Sequence, residues 1–157
     1  MNNKEIWMKQ ALREAQKAYD VDEIPIGCII VKDERIVGRG FNKVESLNDC
    51  TAHSEIIAIT SASNSLSDWR LNNCSIYVTK EPCLMCFGAI LNSRINNLYF
   101  GIKDELNGFR CQIKKNNLFD NKHLKLVEFG IMENDCKDII KNFFIEKRKN
   151  KHNNSNK

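Results

Sequence analysis

Thr51-Ala52-His53-Ser54-Glu55, taken with Glu81-Pro82-Cys83-Leu84-Met85-Cys86, is the part of the chain around which the rest is arranged. His53, Cys83 and Cys86 are a three-ligand set of the kind zinc uses when a fourth position is kept for water. Glu55 follows two residues after the histidine, a carboxylate placed to move protons beside that water. A lone C-x-x-C would be weak. With Pro82 ahead of it and His53 and Glu55 upstream, the pattern is specific.

Cys83 and Cys86 fall one turn apart on an expected helix over about 83–93, so both sulfurs can face one point. They sit in its first turn, where the helix dipole and free N–H groups favour thiolate over thiol. Two thiolates and one neutral imidazole balance the charge of Zn²⁺. His53 and Glu55 open a second helix, roughly 52–62, with Asp49 or Thr51 as its cap. Residues two apart diverge on a regular helix, so these two converge only if its first turn meets the site end-on. The N-termini of the two helices must therefore lie side by side.

The flanking sequence supplies an α/β frame. Ile6, Trp7, Ala11, Leu12, Ala15 and Ala18 recur at helical spacing over residues 3–19. Pro25 and Gly27 open a strand, Cys28–Lys32, which Asp33-Glu34 turns into a hairpin with Ile36–Phe41. The stretch Asn42–Cys50 reads as a polar loop. Ser75–Thr79 and Leu98–Ile102 are strands by β-branched and aromatic content. A short helix near 116–120 and a fifth strand, Lys125–Phe129, are expected before a final helix over Glu133–Lys149. The order αββαβαβ(β)α predicts a three-layer αβα domain over residues 1–150 with a central mixed sheet. Residues 151–157 read as a basic, disordered tail.

Composition is that of an ordinary soluble protein of 157 residues, large enough for one core without staples. The N-terminus lacks the apolar run of a secretory signal, and stretches such as Cys28-Ile29-Ile30-Val31 are too short to span a bilayer. Seven cysteines are an odd number, which argues against a disulfide framework and for reduced thiols in a cytoplasmic protein. Cys50 is near His53 but would close the open position that a catalytic zinc needs. The net charge of +4 lies wholly in residues 145–157, where Lys147, Arg148, Lys149, Lys151 and Lys157 face Glu146 alone. A basic end on a neutral body suits attraction to phosphate, although a Lys/Asn-rich terminus can also be merely solubilising.

The H-x-E … P-C-x-x-C pattern is the known signature of the zinc-dependent nucleobase deaminases, a match to an existing pattern and no consequence of spacing alone. In such a site Glu55 would take a proton from the attacking water, protonate the ring nitrogen and then serve the departing ammonia. The chain further resembles the bacterial tRNA-specific adenosine deaminases, which form inosine at the anticodon wobble position. The matching pieces are Ile24-Pro25-Ile26-Gly27, Gly40-Phe41-Asn42, Thr51–Ile56, Tyr77-Val78-Thr79, Glu81–Cys86, Ser93-Arg94-Ile95, Phe100-Gly101 and Phe143–Arg148. The resemblance implies a cytidine-deaminase-like fold with a five-stranded mixed sheet and a homodimer with one zinc per subunit. It puts the metal on His53, Cys83 and Cys86 and the proton shuttle on Glu55. It implies contacts to the target nucleotide from Asn42, to the base from Pro25 and Ile26, and to the nucleic-acid backbone from Asp104. Phe143-Phe144 and Arg148 would fall where the last helix meets the anticodon loop of a tRNA, tRNA-Arg with an ACG anticodon, with Phe143 equally well explained as core. Phe109-Arg110-Cys111 departs from the small residues usual there, in a loop that borders the substrate. Cys50 and Ser54 depart as well and are expected to leave the chemistry alone.

Rival readings remain. A deaminase of a free base or nucleotide, of the guanine or cytosine type, could use the same zinc site but has no use for the basic end. A closed zinc site would need a fourth protein ligand, for which only Cys50 is nearby; a redox dithiol would need neither His53 nor Glu55; a non-catalytic zinc-stabilised subunit could dispense with Glu55.

Overall fold

A computed structural model describes residues 3–116 and 121–154. Five strands, β1 (Gly27–Lys32), β2 (Arg35–Phe41), β3 (Ser75–Lys80), β4 (Asn97–Ile102) and β5 (Leu126–Phe129), form one sheet in the order β2-β1-β3-β4-β5. The β2–β1 and β1–β3 pairs are antiparallel, and β3–β4 and β4–β5 are parallel. Around it lie α1 (Asn3–Asp20), α2 (Val44–Leu47), α3 (Ser54–Leu66), α4 (Leu84–Asn92), α5 (Phe109–Asn116) and α6 (Glu133–Asn154). The three-layer arrangement expected from the element order is the one found.

Both faces of the sheet are covered, which explains why its central strands are apolar throughout rather than alternating. Cys28 and Ile30, Ile76 and Val78, and Leu98 and Phe100 face a core shared with Ala58, Ala62, Phe87 and Ile90 of α3 and α4. The intervening Ile29, Val31, Tyr77 and Tyr99 face Met8 and Ala11 of α1 and Cys136 of α6. At the hairpin, Asp33 and Glu34 both adopt positive φ, 47° and 56°, and pair Lys32 with Arg35. That backbone twist matches the strands it joins.

The antiparallel and parallel pairings bring the start of β1 and the ends of β2, β3 and β4 to one edge of the sheet. Backbone bonds tie that edge together: Asn42 N–H donates to Ile26 O, Glu81 N–H to Ile102 O, and Gly27 N–H to the Thr79 hydroxyl. On β2, Gly38 and Gly40 let α3 lie backbone to backbone. A Cβ at Gly40 would fall 2.3 Å from Ser54 O.

Local departures from the sequence reading have tertiary causes. The polar stretch 42–50 contains the short helix α2. Neither Asp49 nor Thr51 caps α3; the Asp49 carboxylate takes the backbone and hydroxyl of Thr51, and His53 holds the cap position. A helix not expected from the sequence, Phe109–Asn116, forms where Phe109 is buried and stacks on Phe87 at 3.9 Å; the short helix expected near 116–120 falls on residues 117–120, which lie outside the described ones. Residues 151–154 of the expected disordered tail are helical, since no Gly or Pro interrupts the chain from Glu133 to Asn154. No helix among the described residues is long and apolar enough to cross a membrane.

Gly40→Ala is expected to cost about 2 kcal/mol or more, because the new methyl meets backbone and not a movable side chain. A lowered urea midpoint at unchanged slope would show it.

Candidate metal and catalytic site

His53 and Cys83 are the residues at which extended chain turns into α3 and α4, so both project from helix N-termini at the same sheet edge. The end-on meeting of two helices demanded by the sequence is realised. His53 Nδ1 lies 3.7 Å from Cys83 Sγ and 3.4 Å from Cys86 Sγ, and the three donor atoms fall within 4.8 Å of one another. An ion about 2.0–2.1 Å from nitrogen and about 2.3 Å from sulfur in tetrahedral geometry separates those atoms by about 3.5 Å. The donor set therefore fits a metal ion of zinc's size and preference. Cys50 is exposed and outside the group.

Charge in the triad is already distributed for such an ion. Cys83 is drawn down to about 4, first by the hydrogen bond from Cys86 and then, against its burial, by His53. Cys86 is pushed up by the neighbouring Cys83, by burial and by Glu55. His53 is raised, chiefly through its bond to Cys83. A dication held between the sulfurs must displace the thiol protons, so its binding depends on pH.

Glu55 is buried beside this triad. Burial raises its pKa, while the Ser54 hydroxyl and the charge of His53 pull it back. Ser54 Oγ donates to Glu55 Oε2 at 2.8 Å. The expectation that Ser54 leaves the chemistry alone is therefore corrected: its hydroxyl orients the carboxylate, because both open the same helical turn.

His53, Ser54, Glu55 and Cys83 line a cavity of about 430 Å³, a size suited to a small organic group, and Cys86 is buried behind them. Of the residues expected to contact substrate, Asn42, Ile26, Asp104 and Phe144 line it. Pro25 is buried just behind the wall and does not line it. Arg148 lies instead in an adjoining groove with Phe144, Lys147 and Lys151. The register of α6 separates two neighbours that sequence cannot: Phe143 is buried against Tyr19, while Phe144 is exposed toward the cavity.

Sequence reasoning missed the carboxylates that hold the rim. Glu23, fully inside, accepts from the backbone N–H groups of Glu45 and Ser46 and from Asn42 Nδ2. Glu81 accepts from Asp104 N–H and from Arg110, through its backbone N–H, Nε and Nη2. None of Phe109, Arg110 and Cys111 lines the cavity: Phe109 is core, Arg110 clamps Glu81, and the Cys111 thiol turns to Glu105 O. Glu81 was visible only as part of a motif, and Glu23 carried no local signal.

The sequence model of the MafB19-like deaminases matches residues 2–148. A tRNA-specific adenosine deaminase of Buchnera aphidicola subsp. Schizaphis graminum is 46% identical over 154 residues, 94% of this chain and 97% of that protein. A chain solved in studies of A-to-I editing by tRNA:A34 deaminases at the wobble position of transfer RNA superposes with a TM-score of 0.79 at 38% identity. The match covers 85% of this chain and 98% of that one. A guanine deaminase from Bacillus subtilis gives a TM-score of 0.60 at 37% identity, over 63% of this chain and 64% of its own.

Elemental analysis is expected to find one transition-metal ion per chain, lost in Cys86→Ser and retained in Cys50→Ser. Acidification should release it, because His53, raised above its ordinary 6.5, must be deprotonated to bind.

Proposed function

We propose that this chain, which belongs to the MafB19-like deaminases and among them to the tRNA-specific adenosine deaminases, converts adenosine to inosine at the wobble position of a tRNA anticodon by hydrolysis. The observation that carries the reading is the buried carboxylate of Glu55 beside the His53–Cys83–Cys86 triad, with Glu55, His53 and Cys83 lining a cavity. The extent of the match to tRNA deaminases, against the shorter overlap with a guanine deaminase, supports the nucleic-acid substrate over a free base or nucleotide of the guanine or cytosine type.

His53, Cys83 and Cys86 would hold Zn²⁺, one per subunit, which when bound supplies a Lewis acid that acidifies water. Glu55 acts as the proton shuttle. It takes a proton from the attacking water, gives it to the ring nitrogen next to the reacting carbon, and later delivers one to the departing ammonia. Burial raises its pKa above the ordinary carboxylate value, the direction that favours its accepting a proton. Ser54 fixes its orientation.

Asn42, with its amide held by Glu23 at the cavity wall, is suited to bonding the target nucleotide. Ile26 offers an apolar surface for the base, with Pro25 behind it. Asp104 stands at the rim for the nucleic-acid backbone, and Phe144 and Arg148 continue from the cavity into the basic groove of α6, toward an anticodon loop such as that of tRNA-Arg with an ACG anticodon. The subunit would work as a homodimer, for which Leu84, Met85 and Leu106 are exposed apolar side chains that an interface would cover. Such an enzyme would act in the cytoplasm, where its tRNA is.

Metal-loaded protein incubated with an ACG-anticodon tRNA should produce inosine at the wobble position. Glu55→Ala should keep its metal and lose turnover by a factor on the order of 10³. Retained turnover in that variant would remove Glu55 from the mechanism.

A further inference from the structure

The wall of the cavity is acidic. Glu23, Glu45, Glu55, Glu81 and Asp104 line it, and Lys80 is the one lysine or arginine among the described residues that do. A polyanionic strand would be repelled by such a wall unless its charges are answered. Glu23 and Glu81 are answered internally, by backbone N–H groups and by Arg110. Asp104 is different, because it is held from both sides at the rim. Its Oδ1 accepts the N–H groups of Leu106 and Asn107, and its Oδ2 lies 2.6 Å from Lys80 Nζ.

That arrangement pins a lysine head group, normally free to swing, at a defined point of the cavity wall. The Lys80 side chain stays about one-third exposed. An ammonium carries three donors, and Asp104 takes one. A strand reaches a pit of this kind by turning one base into it, which leaves its phosphates at the rim. The cations of α6 lie in the adjoining groove, whereas Lys80 stands at the end of β3, a separate element.

We propose that Lys80 is a further substrate-binding residue, taking a phosphate oxygen of the strand beside the inserted nucleotide, with Asp104 holding its ammonium in place. The inference rests on the reading of the substrate as a tRNA anticodon loop. Together with α6, Lys80 grips the strand at two separated points, which fixes its direction across the cavity as well as its affinity.

The experiment uses zinc-loaded full-length protein and an ACG anticodon stem-loop RNA. Kd by fluorescence anisotropy, KM and kcat are measured over a salt series for wild type, Lys80→Gln, Lys80→Arg and the double variant Lys80→Gln/Asp104→Asn, after equal melting temperatures establish folding. Lys80→Gln is expected to raise Kd and KM roughly tenfold, to leave kcat within about twofold, and to lower the slope of log affinity against log salt by about 0.7–0.9. Lys80→Arg should recover most of the affinity. The double variant should keep the lowered slope, because the phosphate contact is still missing. An unchanged slope in Lys80→Gln, a fall in kcat at unchanged Kd, or a slope that returns to wild type in the double variant would each reduce Lys80 to a counter-ion for Asp104. Wild-type protein that neither binds nor deaminates the stem-loop would overturn the tRNA reading and this inference with it. Deamination by wild type with any of the preceding three results would overturn this inference alone.

Discussion

The whole site depends on α3 lying against β2 with no side chain between them. Gly38 and Gly40 present bare backbone to Ala58, Ala62 and Ser54, so the helix axis is set by main-chain contact and not by adjustable packing. This fixes where the first turn of α3 begins, and with it His53, Ser54 and Glu55. Cys83 and Cys86 are carried by the chain leaving β3, where Glu81 N–H bonds Ile102 O of β4. The triad can close only because both helices start at one edge of the same sheet, where the parallel strands β3 and β4 also end. A crevice outside the carboxyl ends of strands is where open α/β sheets place their ligands.

A second constraint is electrostatic. Buried carboxylates are costly unless hydrogen-bonded or paired, and this site gathers several within a small volume. Each has a different solution. Glu23 uses the N-terminal N–H groups of a single-turn helix, Glu81 uses Arg110 and a loop amide, Glu55 uses Ser54, and Asp104 uses Lys80 and two backbone amides. These solutions also lock the loops that bear them. Glu81 links the approach to Cys83 with the loop after β4, and Glu23 links the start of β1 with the loop after β2. The rim is therefore preorganised around the cavity by the same bonds that make its acids tolerable.

Much of this was legible in the order of residues. The strands, the long helices and the metal-binding pattern each carry a local signature: apolar runs, helical periodicity, and ligands at a spacing that permits convergence. What was misread had no local signature. The residue at the cap of α3 is decided by where Asp49 spends its carboxylate, and α5 went unforeseen because it forms where Phe109 finds Phe87. Arg110 looked like an intrusion on the substrate loop, but its partner is an acid far away in sequence. Ser54 looked like a neutral replacement because a hydroxyl's direction is set by the turn it sits in.

From the sequence alone came the three-residue donor set, the carboxylate beside it, the layered architecture and the basic end, because these depend on residue type and on short spacings. The tertiary structure alone decided which of two adjacent phenylalanines faces the cavity, which acids share its wall and what compensates them, and that Lys80 lines it beside Asp104. Those outcomes depend on helix register and on contacts between segments distant in the chain. Neither is set until the sheet has brought the ends of four strands to one edge.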